Sequence, residues 1–142
     1  MSEKLLLLAN AGLTFYLVGL IWTIQVVHYP LFAEVGSESY VQYQAGHQWR
    51  ITTIVLVPMI LELGTAGLLM LIMRKPLAVV AFALVLVVWA STFFLQVPAH
   101  TILDRGFDAT AHNQLVSTNW VRTVAWSLRG VISLWWIWEI IK

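Results

Sequence analysis

The chain has 142 residues, 60% of them hydrophobic and only 11% charged, with a formal net charge of +1 and a mean hydropathy of +0.81. That excludes an ordinary soluble domain, in which about a quarter of residues are charged. The near-neutral charge gives no footing for nucleic acid, and the lack of cysteine removes disulfide and thiolate chemistry.

Four apolar stretches stand out, at residues 5–29, 51–73, 77–99 and 120–141. As helices rising ~1.5 Å per residue, each is long enough to cross a ~30 Å hydrocarbon layer. The first is too long for the apolar core of a cleaved signal peptide and is read as a span. The expectation is an all-α, integral membrane four-helix bundle, one transmembrane domain over residues 1–142. Lys4, Arg74, Lys75 and Lys142 fall on one side, Arg50 and Arg105 on the other. Basic residues favour the cytoplasmic side. The termini are therefore expected in the cytoplasm, the chain in a bacterial inner membrane, and the two longer connections outside.

In chain order, Pro30 should end the first span, because the residue before proline is pushed out of helical geometry. Gln25 and His28 share a face near that end, with Trp22 a turn deeper. Ser37 reads as an N-cap and Glu38 suits a first turn. The helix that follows would run to Met73 and stand out of the membrane on the outer side. Pro58 should kink it, and Glu62 lies four residues beyond, a carboxyl that must be paired or protonated at that depth. Arg74-Lys75-Pro76 is a tight turn. The third span is almost purely apolar until Gln96, Pro98 and His100. Asp108 is a second candidate N-cap, opening a fourth helix that would also protrude outward at its start. Gly12, Gly19, Gly64 and Gly67 read as points of close helix approach.

The fourth helix carries the clearest pattern. His112, Asn119, Trp126 and Ser133 fall seven apart, as do Leu115, Arg122, Arg129 and Trp136. Seven residues is nearly two turns, so both rows lie on one face. Val121, Val124, Ala125, Leu128, Val131, Ile132 and Leu134 cover the rest. In so apolar a chain the polar seam should face inward.

Polar residues also repeat half a chain apart: Gln25 with Gln96, Ser37 with Asp108, Trp49 with Trp120 and, one residue further on, His28 with His100 and Arg50 with Arg122. This reads as a duplicated helical hairpin, residues 1–71 and 72–142, with spans one and three parallel.

Two sets of residues could carry chemistry. His28, His47, His100 and His112 all fall toward the outer side. Converging on the bundle axis they would ligate a transition metal or haem; otherwise they bond loop carbonyls or water. Below them, Gln25, Gln96, Asn119 and Trp126 could hold a cofactor or a planar ligand, with Trp126 also able to stack on an arginine. Arg122, Arg129 and Glu62 either fix helix register as a buried Arg129–Glu62 pair or line a cavity open to the outside that takes an anionic or quinone-like molecule or relays protons.

The segment Gln96-Val-Pro-Ala-His100-Thr-Ile-Leu103, followed by Asn119-Trp120-Val-Arg122-Thr-Val-Ala-Trp126-Ser-Leu-Arg129, resembles the second half of small four-span bacterial membrane proteins grouped as anthrone-oxygenase-like. The first half is similar only through His28-Tyr-Pro30. That group carries paired asparagines after the proline, where this chain has Ala99 and His100. The resemblance implies the four-helix fold and a role for Pro98, His100, Trp120, Arg122, Trp126 and Arg129. Three functions stay open: a metal- or haem-dependent redox protein, a non-catalytic subunit of a larger membrane complex, and a carrier for a small amphiphile that works as a homo-oligomer.

Overall fold

A computed structural model describes residues 2–142, and among them there is no strand. Four helical rods carry the chain: α1 (Glu3–Glu34), α2 (Ser37–Met73), α3 (Pro76–Leu103) and α4 (Ala109–Ile141). Each is long and apolar enough to cross a membrane. Every helix packs on its sequence neighbours, and α4 closes the ring onto α1, so α1 and α3 stand diagonally opposite. Both termini and the Arg74–Lys75 turn mark one end of the bundle, here the terminal end. The connections after α1 and α3 mark the other, the loop end.

Local chemistry sets most boundaries. The Ser2 hydroxyl accepts from the Leu5 N–H at 3.3 Å, and the Asp108 carboxylate accepts from the Ala111 N–H at 2.7 Å. Each satisfies one of the donors a helix start leaves free. At α2 the expected cap is displaced. Gly36 holds the cap position without a side-chain bond, and Ser37 is already helical. Arg74 closes α2 in the left-handed conformation, φ 52°, and Pro76 opens α3, where its missing N–H goes unused.

Pro30 does not end α1, contrary to the expectation from sequence. The five residues Ile24–His28 form a wider, π-helical turn, and the Tyr29 N–H reaches back to the Ile24 carbonyl. Widening the turn relieves the clash between a proline ring and the carbonyl four residues earlier. The helix then continues through Leu31 and tightens over Phe32–Glu34. The same device precedes Pro98, where Thr92–Gln96 is π-helical and the Val97 N–H bonds the Thr92 carbonyl. Pro58, by contrast, lies within continuous α-helix.

Two apolar clusters hold the ring. At the terminal end Leu6, Leu7, Leu69, Ala78, Ala81 and Trp136 meet. Toward the loop end Leu17, Ile21, Met59, Val88, Leu103, Leu115 and Trp126 meet with Tyr29, Phe32 and Tyr40. Large apolar side chains such as Leu61, Leu71, Phe94, Val131 and Leu134 face outward, while Asn10, Thr14, Glu62, Asn119 and Arg129 are buried. Such an inside-out distribution suits helices bathed in hydrocarbon, where backbone polar groups are satisfied within each helix. Of the glycines expected at close approaches only Gly67 qualifies, a Cβ there lying 3.4 Å from Phe82; Gly12, Gly19 and Gly64 have open space. Gly130, against Val18, makes the corresponding approach of α4 to α1.

Candidate functional site

Both seven-residue rows of α4 are buried, from His112 to Ser133 and from Leu115 to Trp136. Val121, Val124, Leu128, Val131 and Leu134 are exposed, while Ala125 is buried with the seam. The seam therefore faces inward, and it builds two polar layers at different depths.

The deeper layer centres on Arg129 and Glu62, exposed by only 2% and 1%. Arg129 Nε donates to Glu62 Oε1 at 2.9 Å. Its Nη1 donates to the Ala81 carbonyl at 2.5 Å, and Nη2 to Asn10 Oδ1 and Thr14 Oγ1, both at 3.1 Å. Glu62 also accepts from the Thr14 hydroxyl at 2.8 Å and from Trp126 Nε1 at 2.9 Å. Asn10 Nδ2 donates on to Thr65 Oγ1 at 2.8 Å. All four helices contribute, both charges are neutralised, and the remaining donors and acceptors are occupied, the condition under which a buried ion pair is tolerated. Arg129 and Glu62 thus form a closed structural knot. They are absent from the lining of the cavity that Arg122 faces, so of the two readings open from sequence the buried pair is the one present, and only Arg122 remains for an open site.

Arg122, one row position closer to the loop end, is held differently. Its Nε and Nη2 donate to Asn119 Oδ1 at 2.8 and 2.6 Å, Nη2 to the Tyr29 hydroxyl at 3.1 Å and Nη1 to Thr92 Oγ1 at 3.4 Å. Asn119 is itself fixed by donating to Gln25 Oε1 at 2.8 Å, and Gln25 Nε2 donates to the Val116 carbonyl at 3.1 Å. Every acceptor around this guanidinium is neutral. Among the described residues the ion pairs are Arg129–Glu62 and Lys142–Glu139, so Arg122 has none. Gln25 and Asn119, expected to touch a cofactor, instead orient the arginine.

Arg122 faces a cavity of about 180 Å³. Leu17, Leu20, Ile21 and Ile24 of α1 and Ile51 and Val55 of α2 give it apolar walls; Tyr29, Thr92, Gln96, His100, Arg122 and Trp126 form its polar end and floor. The cavity exists because α2 approaches α3 closely only along Pro76–Ser91. Beyond that, side chains bridge the gap. Gln44 Nε2 donates to His100 Nδ1 at 2.8 Å, and Gln48 donates to Asp104. Partial burial raises the pKa of Asp104 above its ordinary value. Trp126 joins the two layers, its indole N–H on Glu62 and its ring under the cavity.

The four histidines do not meet around one point. His28, His47 and His100 stand in file, with ring centroids 5.8 and 6.2 Å apart. Both nitrogens of His100 are engaged, by Gln44 and, at 3.2 Å, by the Tyr29 hydroxyl. His112 turns away and donates to the Tyr29 main-chain carbonyl at 2.8 Å. Among the described residues no three His, Asp or Glu groups are placed to hold a metal ion, and His100 has no free lone pair to offer a metal or a haem iron. The residues present do not fit such a group.

Residues with no place in the sequence reading of the site prove central. Asn10 and Thr14, one turn apart in an apolar span, carried a legible signal. Tyr29 did not; it sits beside Pro30 and reaches the site only through the widened turn. Neither known protein families, nor curated proteins, nor solved structures match this chain.

Proposed function

We propose that the chain is an integral membrane protein that binds a small amphiphile in the loop-end cavity. The apolar body of the ligand lies against Leu17, Leu20, Ile21, Ile51 and Val55. Its hydrogen-bonding head, anionic or quinone-like, faces Arg122, Tyr29, His100 and Gln96. One observation carries this reading: a buried guanidinium without a counter-charge opens onto an apolar cavity. Ligand sites combine apolar walls with a few convergent polar groups in this way, and an ionisable group left without a charged partner at membrane depth points to function.

In this proposal the basic residues of the terminal end face the cytoplasm. The cavity then lies in the outer half of a bacterial inner membrane, with the starts of α2 and α4 beyond the hydrocarbon. The paired π-helical turns before Pro30 and Pro98 favour a duplicated hairpin, at a spacing slightly shorter than the polar matches suggest. Native mass spectrometry of protein extracted in mild detergent tests the binding. Wild type is expected to carry a non-protein mass that Val55→Trp, which fills the cavity, lacks at equal folding. Wild type without such a mass would overturn the reading.

A further inference from the structure

Building on that cavity, we infer that its occupant is a hydroxylated weak organic acid, a hydroxycarboxylate with an apolar tail, entering sideways between α2 and α3. The route follows from exposure around the rim. Leu17, Ile21, Arg122 and Trp126 are buried and form a back wall, whereas Thr52, Val97 and Thr101 are exposed and form a mouth. That mouth lies between two membrane-crossing rods, so an apolar tail can remain in the lipid while the head enters.

The acid follows from charge. Arg122 meets only Asn119, Tyr29 and Thr92, all neutral. The nearby carboxylates are committed elsewhere, Glu62 to Arg129 and Asp104 to Gln48. A planar guanidinium in that state suits a carboxylate better than any neutral head.

The hydroxyl follows from Gln96. Its Nε2 donates to Thr118 Oγ1 at 3.0 Å, while the Thr118 hydroxyl donates to the Gln114 carbonyl at 2.6 Å. Thr118 can therefore only accept from Gln96, which fixes the amide and leaves Gln96 Oε1 as a buried acceptor without a donor. Gln96 lines the cavity one turn along α3 from Thr92, which Arg122 touches. A donor near the ligand's carboxylate would satisfy it once binding opens the packing that covers that atom.

The probes are 3-hydroxydecanoate, decanoate and decanol, binding to full-length protein in nanodiscs, with affinities corrected for partition into the lipid. Wild type is expected to bind decanoate about tenfold or more tighter than decanol and 3-hydroxydecanoate about fivefold tighter again, as a charged and a neutral hydrogen bond imply. Gln96→Leu should erase only the second difference and Arg122→Gln only the first. Decanol binding as tightly as decanoate would overturn the acid, and equal binding of the two acids would overturn the hydroxyl. If no probe binds while the co-purifying mass persists, the inference fails and the cavity reading stands; if both are absent, both fail.

Discussion

Arg122 and Arg129 occupy the same row of one helix face and are both buried, yet they are used in opposite ways. At the level of Arg129 a carboxylate and donors and acceptors from all four helices close around the charge. At the level of Arg122 α2 has drawn away from α3, the partners are neutral, and the guanidinium looks into a cavity. The chemistry of a buried arginine is thus set by what its neighbours bring to its depth. The deep layer fixes how the helices pack; the shallow layer leaves its charge unneutralised.

The sharpest way to break this contrast is at Glu62. Glu62→Leu strands Arg129 without a counter-charge and should cost about 3–5 kcal/mol, read as a fall in unfolding free energy in mild detergent. Adding Arg129→Met should recover part of it, because the lone charge goes while Asn10, Thr14 and Trp126 stay short of partners. A loss below about 1 kcal/mol in the single variant would mean the knot is not a structural anchor.

Arg122→Leu should cost less, about 1–2 kcal/mol, since it removes an unneutralised charge along with its hydrogen bonds to neutral groups. Affinity for an acidic ligand should fall about tenfold with it. A cost as large as that of Glu62→Leu would erase the distinction between the layers. Tyr29→Phe sharpens the comparison further. It deletes the hydroxyl that joins Arg122 to His100 and should cost about 1 kcal/mol, with affinity reduced but not abolished.

The smallest effect concerns pH, and it belongs to the cavity end alone. Burial raises the pKa of Asp104, so the folded state holds that proton more tightly than the unfolded chain. Its contribution is present at pH below the ordinary carboxylate value and is lost as pH climbs through that value to the raised one. Thermal midpoints of wild type minus Asp104→Asn should fall across that window. A difference that rises there would contradict the assignment.

How much of this was legible in sequence depends on the range of the interaction. The inward seam of α4 was, because helical periodicity in so apolar a chain leaves polar residues one place to go. The Arg129–Glu62 pair was also visible, since Glu62 is the one carboxyl in the apolar runs at that depth. Capping at Asp108 followed from local chemistry, whereas Ser37 lost its place to Gly36 by a one-residue shift that propensity does not resolve. The widened turns at Ile24–His28 and Thr92–Gln96 left only their prolines as a trace. The first of them sets the rotation of Tyr29, which takes up His112 through its carbonyl and His100 through its hydroxyl. The divergence of α2 from α3, and so the cavity, is a property of the packed bundle with no local signature.

The central claim, a positive charge left unneutralised in the loop-end cavity, can be read by chemical labelling, since the chain has no cysteine of its own. Thr92→Cys places a thiol beside Arg122, and Thr14→Cys places one beside Arg129 and Glu62. The rates of modification by a negatively and a positively charged methanethiosulfonate of similar size, each taken relative to its rate with a free thiol in solution, should differ at the first position, with the anionic reagent faster, and neither should react at the second. Equal rates at Thr92→Cys, or faster reaction with the cationic reagent, would contradict the account.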